Sequence, residues 1–294
     1  MNRLFLSLMV TVMTVSLAAC GDDNDVPSSE VPAEGLHYPT FPTGRKAVSR
    51  IEKTFDNGRT TTLDMQYDAE GHLIAASMNM PYSNGMNSES IRLYYSRGII
   101  SHTLGWQTTE YSFATNALGA ITEITNSQNS VVAHFDYDDN HLQSLMTVGG
   151  TTTYSNVLNW KSSDRLHDIV TIGIVTSMTA KKDSVELSYT SFVPNVASID
   201  FMGVGQTPFG EMIELAMRNA GLFGSVSTDL PRALNCGNSS YLDENGKMIK
   251  LHCIVDYNLN DDGSVNSLKF NVPKTNDDQN VNKLESYTMK FTYK

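Results

Sequence analysis

The sequence predicts an all-β domain: a large twisted antiparallel meander, partly curled, with one amphipathic helix packed against it. Three observations carry this expectation. From Arg45 onward, apolar and polar residues alternate with period two in one segment after another, as in half-buried antiparallel strands. Turn signals recur between those segments, at Asp56-Asn57-Gly58, Asn84-Gly85 and Gly149-Gly150. No regular strand–helix alternation appears, which argues against a parallel α/β sheet. Composition agrees. With 40 % hydrophobic and 18 % charged residues, the balance is uncharged and polar, which suits sheets with one wet face.

The alternation is explicit in five places. Leu63, Met65 and Tyr67 interleave with Thr62, Asp64 and Gln66. Ile91, Leu93 and Tyr95 interleave with Arg92 and Tyr94. Val131, Ala133, Phe135 and Tyr137 follow, then Val185, Leu187 and Tyr189, and finally Tyr287, Met289, Phe291 and Tyr293. One stretch breaks the pattern. Within 208–220, Phe209, Met212, Ile213, Ala216 and Met217 keep helical spacing. Glu211 and Glu214 lie in the early turns, Arg218 near the end, and Gly221 suits the C-terminal cap.

Ahead of the strands, Arg3 precedes an uncharged, apolar run from Leu4 to Ala19. That run falls short of the about 20 residues of a transmembrane helix and fits a secretory signal. Leu17-Ala18-Ala19-Cys20 resembles the lipobox of bacterial lipoproteins. The resemblance implies cleavage before Cys20 and lipid on that cysteine, so that the membrane is a partner. Residues 20–44 then read as a lipidated tether. Gly21-Asp22-Asp23-Asn24-Asp25 is acidic, Pro27, Pro32, Pro39 and Pro42 follow, and no basic residue appears before Arg45. The acidic run resembles the surface-export signal of lipoproteins in gut-type Gram-negative anaerobes. It implies an outer-membrane lipoprotein facing the cell exterior; the alternative is the periplasmic face. The expected division is a signal peptide over 1–19, the tether over 20–44 and the β domain over 45–294. A net charge of −11 argues against nucleic acid as a partner.

Cys236 and Cys253 are expected to pair in an oxidising compartment. Asp243-Glu244-Asn245-Gly246-Lys247 between them is a hairpin signal. If Glu244 and Asn245 are the central turn residues, the cysteines stand directly opposite; if Asn245 and Gly246 are, they are diagonal neighbours on one face.

A degenerate repeat runs along the domain. Tyr67-Asp68-Ala69-Glu70-Gly71-His72-Leu73 is echoed at 115–121, 137–142 and 257–265, and more loosely at 241–248. An aromatic closes one strand in most copies, Asp or Asn bonds the turn backbone, and Gly or Asn takes the left-handed position. Turn centres near 98, 119, 140 and 164 fall about one hairpin apart. The first copy resembles the tyrosine–aspartate (RHS-type) repeat. The lipobox, acidic tether, repeat-bearing strands, late helix, Gly221-Leu222-Phe223-Gly224 and Asp229-Leu230-Pro231 together resemble a lipoprotein family of unknown function from gut-type anaerobes. That resemblance implies architecture and location, and no activity.

No catalytic motif is present, and no cofactor or metal is expected. The seven histidines lack ligand spacing. The 256–267 stretch is similar to a calcium loop, but Asp261 and Ser267 stand where glycine and glutamate are needed. Trp106 and Tyr111, on one expected strand, would face opposite sides. The function expected is a lipid-anchored binding or structural module, non-enzymatic, for a glycan or a surface protein. The alternative is a glycan-active enzyme using Asp/Glu residues that the sequence does not single out. A transmembrane barrel fits less well, since its strands would need about 9–11 residues and a continuous apolar outer band.

Overall fold

The computed structural model describes residues 28–40, 45–80, 88–149, 152–161, 165–175, 180–203, 207–242, 248–273 and 285–294. The leader, Cys20 and the 243–247 turn lie outside them. Among the described residues are sixteen strands and one α-helix. The first nine strands are β1 (Val48–Phe55), β2 (Thr60–Tyr67), β3 (Leu73–Asn79), β4 (Glu89–Tyr94), β5 (Ile99–Leu104), β6 (Gln107–Thr115), β7 (Ile121–Thr125), β8 (Val131–Asp138) and β9 (His141–Gly149). Then come β10 (Thr152–Lys161), β11 (Arg165–Val175), β12 (Ala180–Pro194), α1 (Glu211–Asn219), β13 (Asp229–Leu242), β14 (Met248–Leu259), β15 (Val265–Asn271) and β16 (Tyr287–Tyr293).

Each strand pairs antiparallel with the next, and β1 pairs with β16, so the sheet is a closed barrel. This corrects the expected partly curled meander. Closure rests on Ile51 opposite Phe291 and Lys53 opposite Met289, a pairing of the two chain ends that local patterning cannot reveal. Register shifts at Val48/Arg50, Gln66/Tyr67, Ala114/Thr115, Asp136/Tyr137, Asn159/Trp160 and Asn258/Leu259 add the local coiling that closure needs. These six fall at one end of the barrel, here called the first rim, while shifts at Ile124/Thr125 and Gly237/Leu242 fall at the other.

The alternation sorts the two faces sharply. Ile51, Leu63, Ile100, Ile124, Leu145 and Val255 point inward and are buried. Their strand neighbours Arg50, Glu52, Asp64, Gln66, Arg92 and Lys290 point outward, half-buried or exposed. Outward pairs are polar across strands: Arg50 meets Asp64 at 3.2 Å and Glu52 meets Lys290 at 3.9 Å.

The interior is occupied by the described parts of the crossover from β12 to β13, residues 195–203 and 207–228, which carries α1. The helix is shorter than the predicted 208–220 and is buried around its whole circumference from Met212 to Asn219. It is therefore enclosed by the barrel and not merely packed against the sheet. Its polar face meets protein, because the incoming limb of the crossover satisfies it. Asp200 Oδ2 accepts from Arg218 Nε at 2.6 Å, and the Asn219 amide bonds Asp200 N, Asp200 O and Leu215 O. The helix ends in a Schellman motif, with Leu222 N donating to Met217 O and Gly221 N to Arg218 O. Gly221, at φ 72°, supplies the left-handed residue this motif requires. Past it, Phe223 stacks on inward-facing Phe135 at 4.9 Å.

Candidate functional site

The repeat has a structural meaning at the first rim. Its turns join β2 to β3, β6 to β7 and β14 to β15. Asp68 Oδ1 accepts from Glu70 N and His72 N, and Asn116 Oδ1 accepts from Leu118 N and Ala120 N. Gly71, Gly119 and Gly263 take the left-handed position. A further copy, Asn126 to Ser130 with Asn129 left-handed, sits at the opposite, second rim. The aromatics form a girdle. Tyr67, Tyr137, Tyr257 and Tyr293 donate to the carbonyls of Val48, Ile121, Pro231 and Val265, and Trp160 Nε1 donates to Leu142 O. In each case the end of one strand is bonded to the start of the strand before it.

Residues 28–40, within the stretch read as a tether, lie across these turns. Ala33 N donates to Tyr95 O, His37 N to Thr115 Oγ1 and Thr40 N to Leu118 O. Tyr38 stacks on His72 with ring centroids 3.7 Å apart. The Ser29 hydroxyl bonds Asp68 and Glu70 and sits 3.4 Å from His72 Nδ1. Among the described residues, Asp68, Glu70 and His72 form the one cluster with metal-ligand spacing, their ligand atoms within 4.8 Å of one another. Ser29 stands amid those three atoms, so the cluster acts as the latch of the strap.

The cysteines lie inward on β13 and β14, but in neither expected register. Cys236 faces Leu251 and Cys253 faces Leu234. A register shift between Gly237 and Leu242 displaces the ladder from what the turn dictates. The two are diagonal neighbours and are unbridged. A hydrogen bond to Cys253, together with burial, pushes the Cys236 thiol up. Trp106 is not on a strand. It occupies the two-residue turn between β5 and β6 and is 88 % exposed, whereas Tyr111 packs inward against Phe209.

Three cavities are formed among the described residues. At the second rim, hollows of about 400 and 420 Å³ adjoin across Lys53, Phe55 and Glu211. Lys53 is buried, 2.7 Å from Glu211 Oε1 and 4.2 Å from the Tyr287 ring centroid. Glu89, at the first of these hollows, accepts from Gly210 N at 2.8 Å and from His102 Nε2 at 2.7 Å. Both carboxylates are thus held by protein groups. At the first rim a cavity of about 410 Å³ is lined by Arg45, Asn140, His141, Asn195, Arg218 and residues 224–228. Sequence reasoning missed all three cavities, because residues far apart in the chain build each of them.

No protein-family model matches the chain, and no curated protein does. Among solved structures it is similar to a porin-like protein from Bacteroides uniformis, with a TM-score of 0.57 at 13 % identity over 89 % of this chain and 100 % of that one. It is also similar to a porin-like protein from Bacteroides vulgatus, with a TM-score of 0.48 at 10 % identity over 85 % of this chain and 99 % of that one. The likeness to the first is one of fold.

Proposed function

We propose that this chain is a lipid-anchored barrel of the bacterial cell envelope that binds a ligand at one of its rims, without catalysis and without itself spanning the bilayer. One observation carries the reading: the barrel wall is mainly apolar inside, and charged side chains stud its outside between exposed apolar ones such as Met146, Val157 and Ile254. A membrane barrel is built the other way round, with an apolar outer band and a polar lumen. Here Arg50, Glu52, Asp64 and Lys290 would have to enter hydrocarbon, at about 2–4 kcal/mol for each basic residue at the midplane. The crossover also occupies the space a channel would need. The name porin-like, carried by the similar structures, describes those proteins. With the first of them this chain shares the fold, while its inner and outer faces differ from those of a membrane barrel. Attachment then falls to Cys20, the lipobox cysteine, and the acidic residues after it support display on the outer face of the outer membrane.

The test uses the mature chain with Cys20→Ser. It is expected to be soluble and monodisperse without detergent and to give no conductance in planar bilayers. Detergent-dependent solubility together with stepwise conductance would overturn the reading. Mass spectrometry of the native N-terminus is expected to show acyl groups on Cys20, and protease treatment of intact cells is expected to cut the protein.

A further inference from the structure

The first-rim cavity has three properties that belong together. First, its described lining contains two arginines, Arg45 and Arg218, and no carboxylate, in a chain with 32 acidic residues. Secondly, Arg218 is 4 % exposed, and its Nη1 has no hydrogen-bond partner. Its Nε and Nη2 are spent on Asp200, so Nη1 is the donor left over. A buried guanidinium donor without an acceptor is costly. Thirdly, Asn140 lines the same cavity and is also incompletely bonded. Its Nδ2 donates to Ser225 Oγ at 3.1 Å, while its buried Oδ1 has no partner. Whichever way that amide is turned, Ser225 occupies one of its two polar atoms and the other is left over.

The missing partners define a chemistry. Arg218 asks for an anionic oxygen, and a planar guanidinium suits a carboxylate. The Asn140 amide asks for a group that can donate or accept, which is a hydroxyl. Ser198, Ser225, Ser227 and Thr228 add hydroxyl-bearing side chains around the wall. A volume of about 410 Å³ lies within the range of small-molecule sites, about 300–1,000 Å³, and far exceeds the about 30 Å³ of one water. Burial holds the Arg45 guanidinium down at about 10. A desolvated cation gains more from an incoming anion than a solvated one does.

We infer that the first-rim cavity is a binding site for a small hydroxy acid, a sugar of the uronic-acid type, with its carboxylate on Arg218 and Arg45 and a hydroxyl on Asn140. The inference rests on the reading of the barrel as a binding module, and it names the class of ligand and the rim.

The experiment is calorimetric titration and thermal melting of the mature Cys20→Ser chain. Probes are galacturonate and glucuronate, oligogalacturonate, neutral galactose, and inorganic phosphate, all at matched ionic strength. A uronate is expected to bind and to raise the melting temperature, with galactose inert. Tighter binding of the oligomer than the monomer would identify a polysaccharide end as the source, and the reverse a free sugar acid. Arg218→Gln is expected to weaken binding at least tenfold. Because that variant also loses the Asp200 pair, Arg45→Gln and Asn140→Ala, nearer the rim, serve as folded controls with the same expected direction. No response to either uronate overturns the inference, as does phosphate binding equal to uronate binding, or binding indifferent to both Arg45→Gln and Asn140→Ala. None of these outcomes touches solubility or conductance, so a failure here is separable from a failure of the binding-barrel reading.

Discussion

The Tyr67 hydroxyl, at the end of β2, donates to the Val48 carbonyl at the start of β1 over 2.8 Å. Tyr137 repeats the bond to Ile121 sixteen residues back, and Tyr257 and Tyr293 repeat it to Pro231 and Val265. Register shifts fall directly before Tyr67 and Tyr137, and bulges re-aim side chains. The repeat is therefore a device for tying neighbouring strands together at one rim.

Removing a single hydroxyl from this girdle leaves a buried carbonyl without its donor. Tyr67→Phe and Tyr137→Phe are each expected to cost about 1–3 kcal/mol. In a domain of this size that lowers the melting temperature by about 2–4 °C per kcal/mol. Thermal melts of the Cys20→Ser chain check this, and an unchanged melting point in both variants would discard the girdle as a stabiliser.

Alkaline pH tests the same residues from another side. Burial pushes the Tyr67 phenol up to about 12, and Tyr189 to about 12 as well. The unfolded chain releases these protons near 10, so between pH 10 and 12 the folded state holds more of them. Stability contributed by the raised pKa values is intact below about pH 10 and is lost as pH climbs through about 12, by up to about 1.4 kcal/mol per unit for each fully buried group. Tyrosinate absorbance is expected to lag behind that of free tyrosine and then to jump with unfolding. A smooth titration centred on 10 for all tyrosines would contradict it.

Gly119 lies under the strap. Its φ is 81°, and a Cβ there would run into the Tyr38 carbonyl. Gly119→Ala is expected to free residues 28–40 while the barrel stays folded. Limited proteolysis should then cut within the strap, with the strand signal in circular dichroism retained. Global unfolding would show instead that the strap is part of the core.

The inward and outward faces predict opposite outcomes at adjacent positions. Ile51→Ala, inward and fully buried, is expected to cost about 2–5 kcal/mol. Glu52→Leu, outward and paired only with Lys290 at 3.9 Å, is expected to cost under about 1 kcal/mol. Chemical denaturation of the two variants separates them, and a larger loss at Glu52 would reverse the assignment of faces.

Much of the sheet was legible because period-two alternation is local. Leu63, Met65 and Tyr67 share the inward face as read, and the turns at 56–58, 68–72, 116–120 and 260–264 fall where Gly, Asp and Asn announced them. The helix was legible from Met212, Ile213 and Met217, but its surroundings were not. Glu214, Arg218 and Asn219 look like a solvent face, yet all three are buried, and Asp200, eighteen residues before Arg218, answers Arg218 and Asn219. Closure of the barrel and the three cavities depend on contacts between remote segments. The cysteine register failed for a nearer reason, a bulge beside the turn. Arg218 could have been suspected from one signal, a lone basic residue just before a glycine-rich helix end. Asn140, aligned with the glycine of the other copies, was a second, although it is Asp139 that takes the left-handed conformation in that turn.

Ser29 latches the strap to the first rim. In the lipoprotein proposed here the acyl chains enter the bilayer at residue 20. The nine residues from Cys20 to Ser29 reach at most about 32 Å, less than a barrel of this kind would need to tumble freely above its anchor. The molecule would therefore stand with a preferred polarity, girdle and sugar-acid cavity toward the lipid surface, Trp106 and the Lys53–Glu211 hollows directed outward. Whatever reaches the cavity would have to approach sideways, through the gap between barrel and membrane.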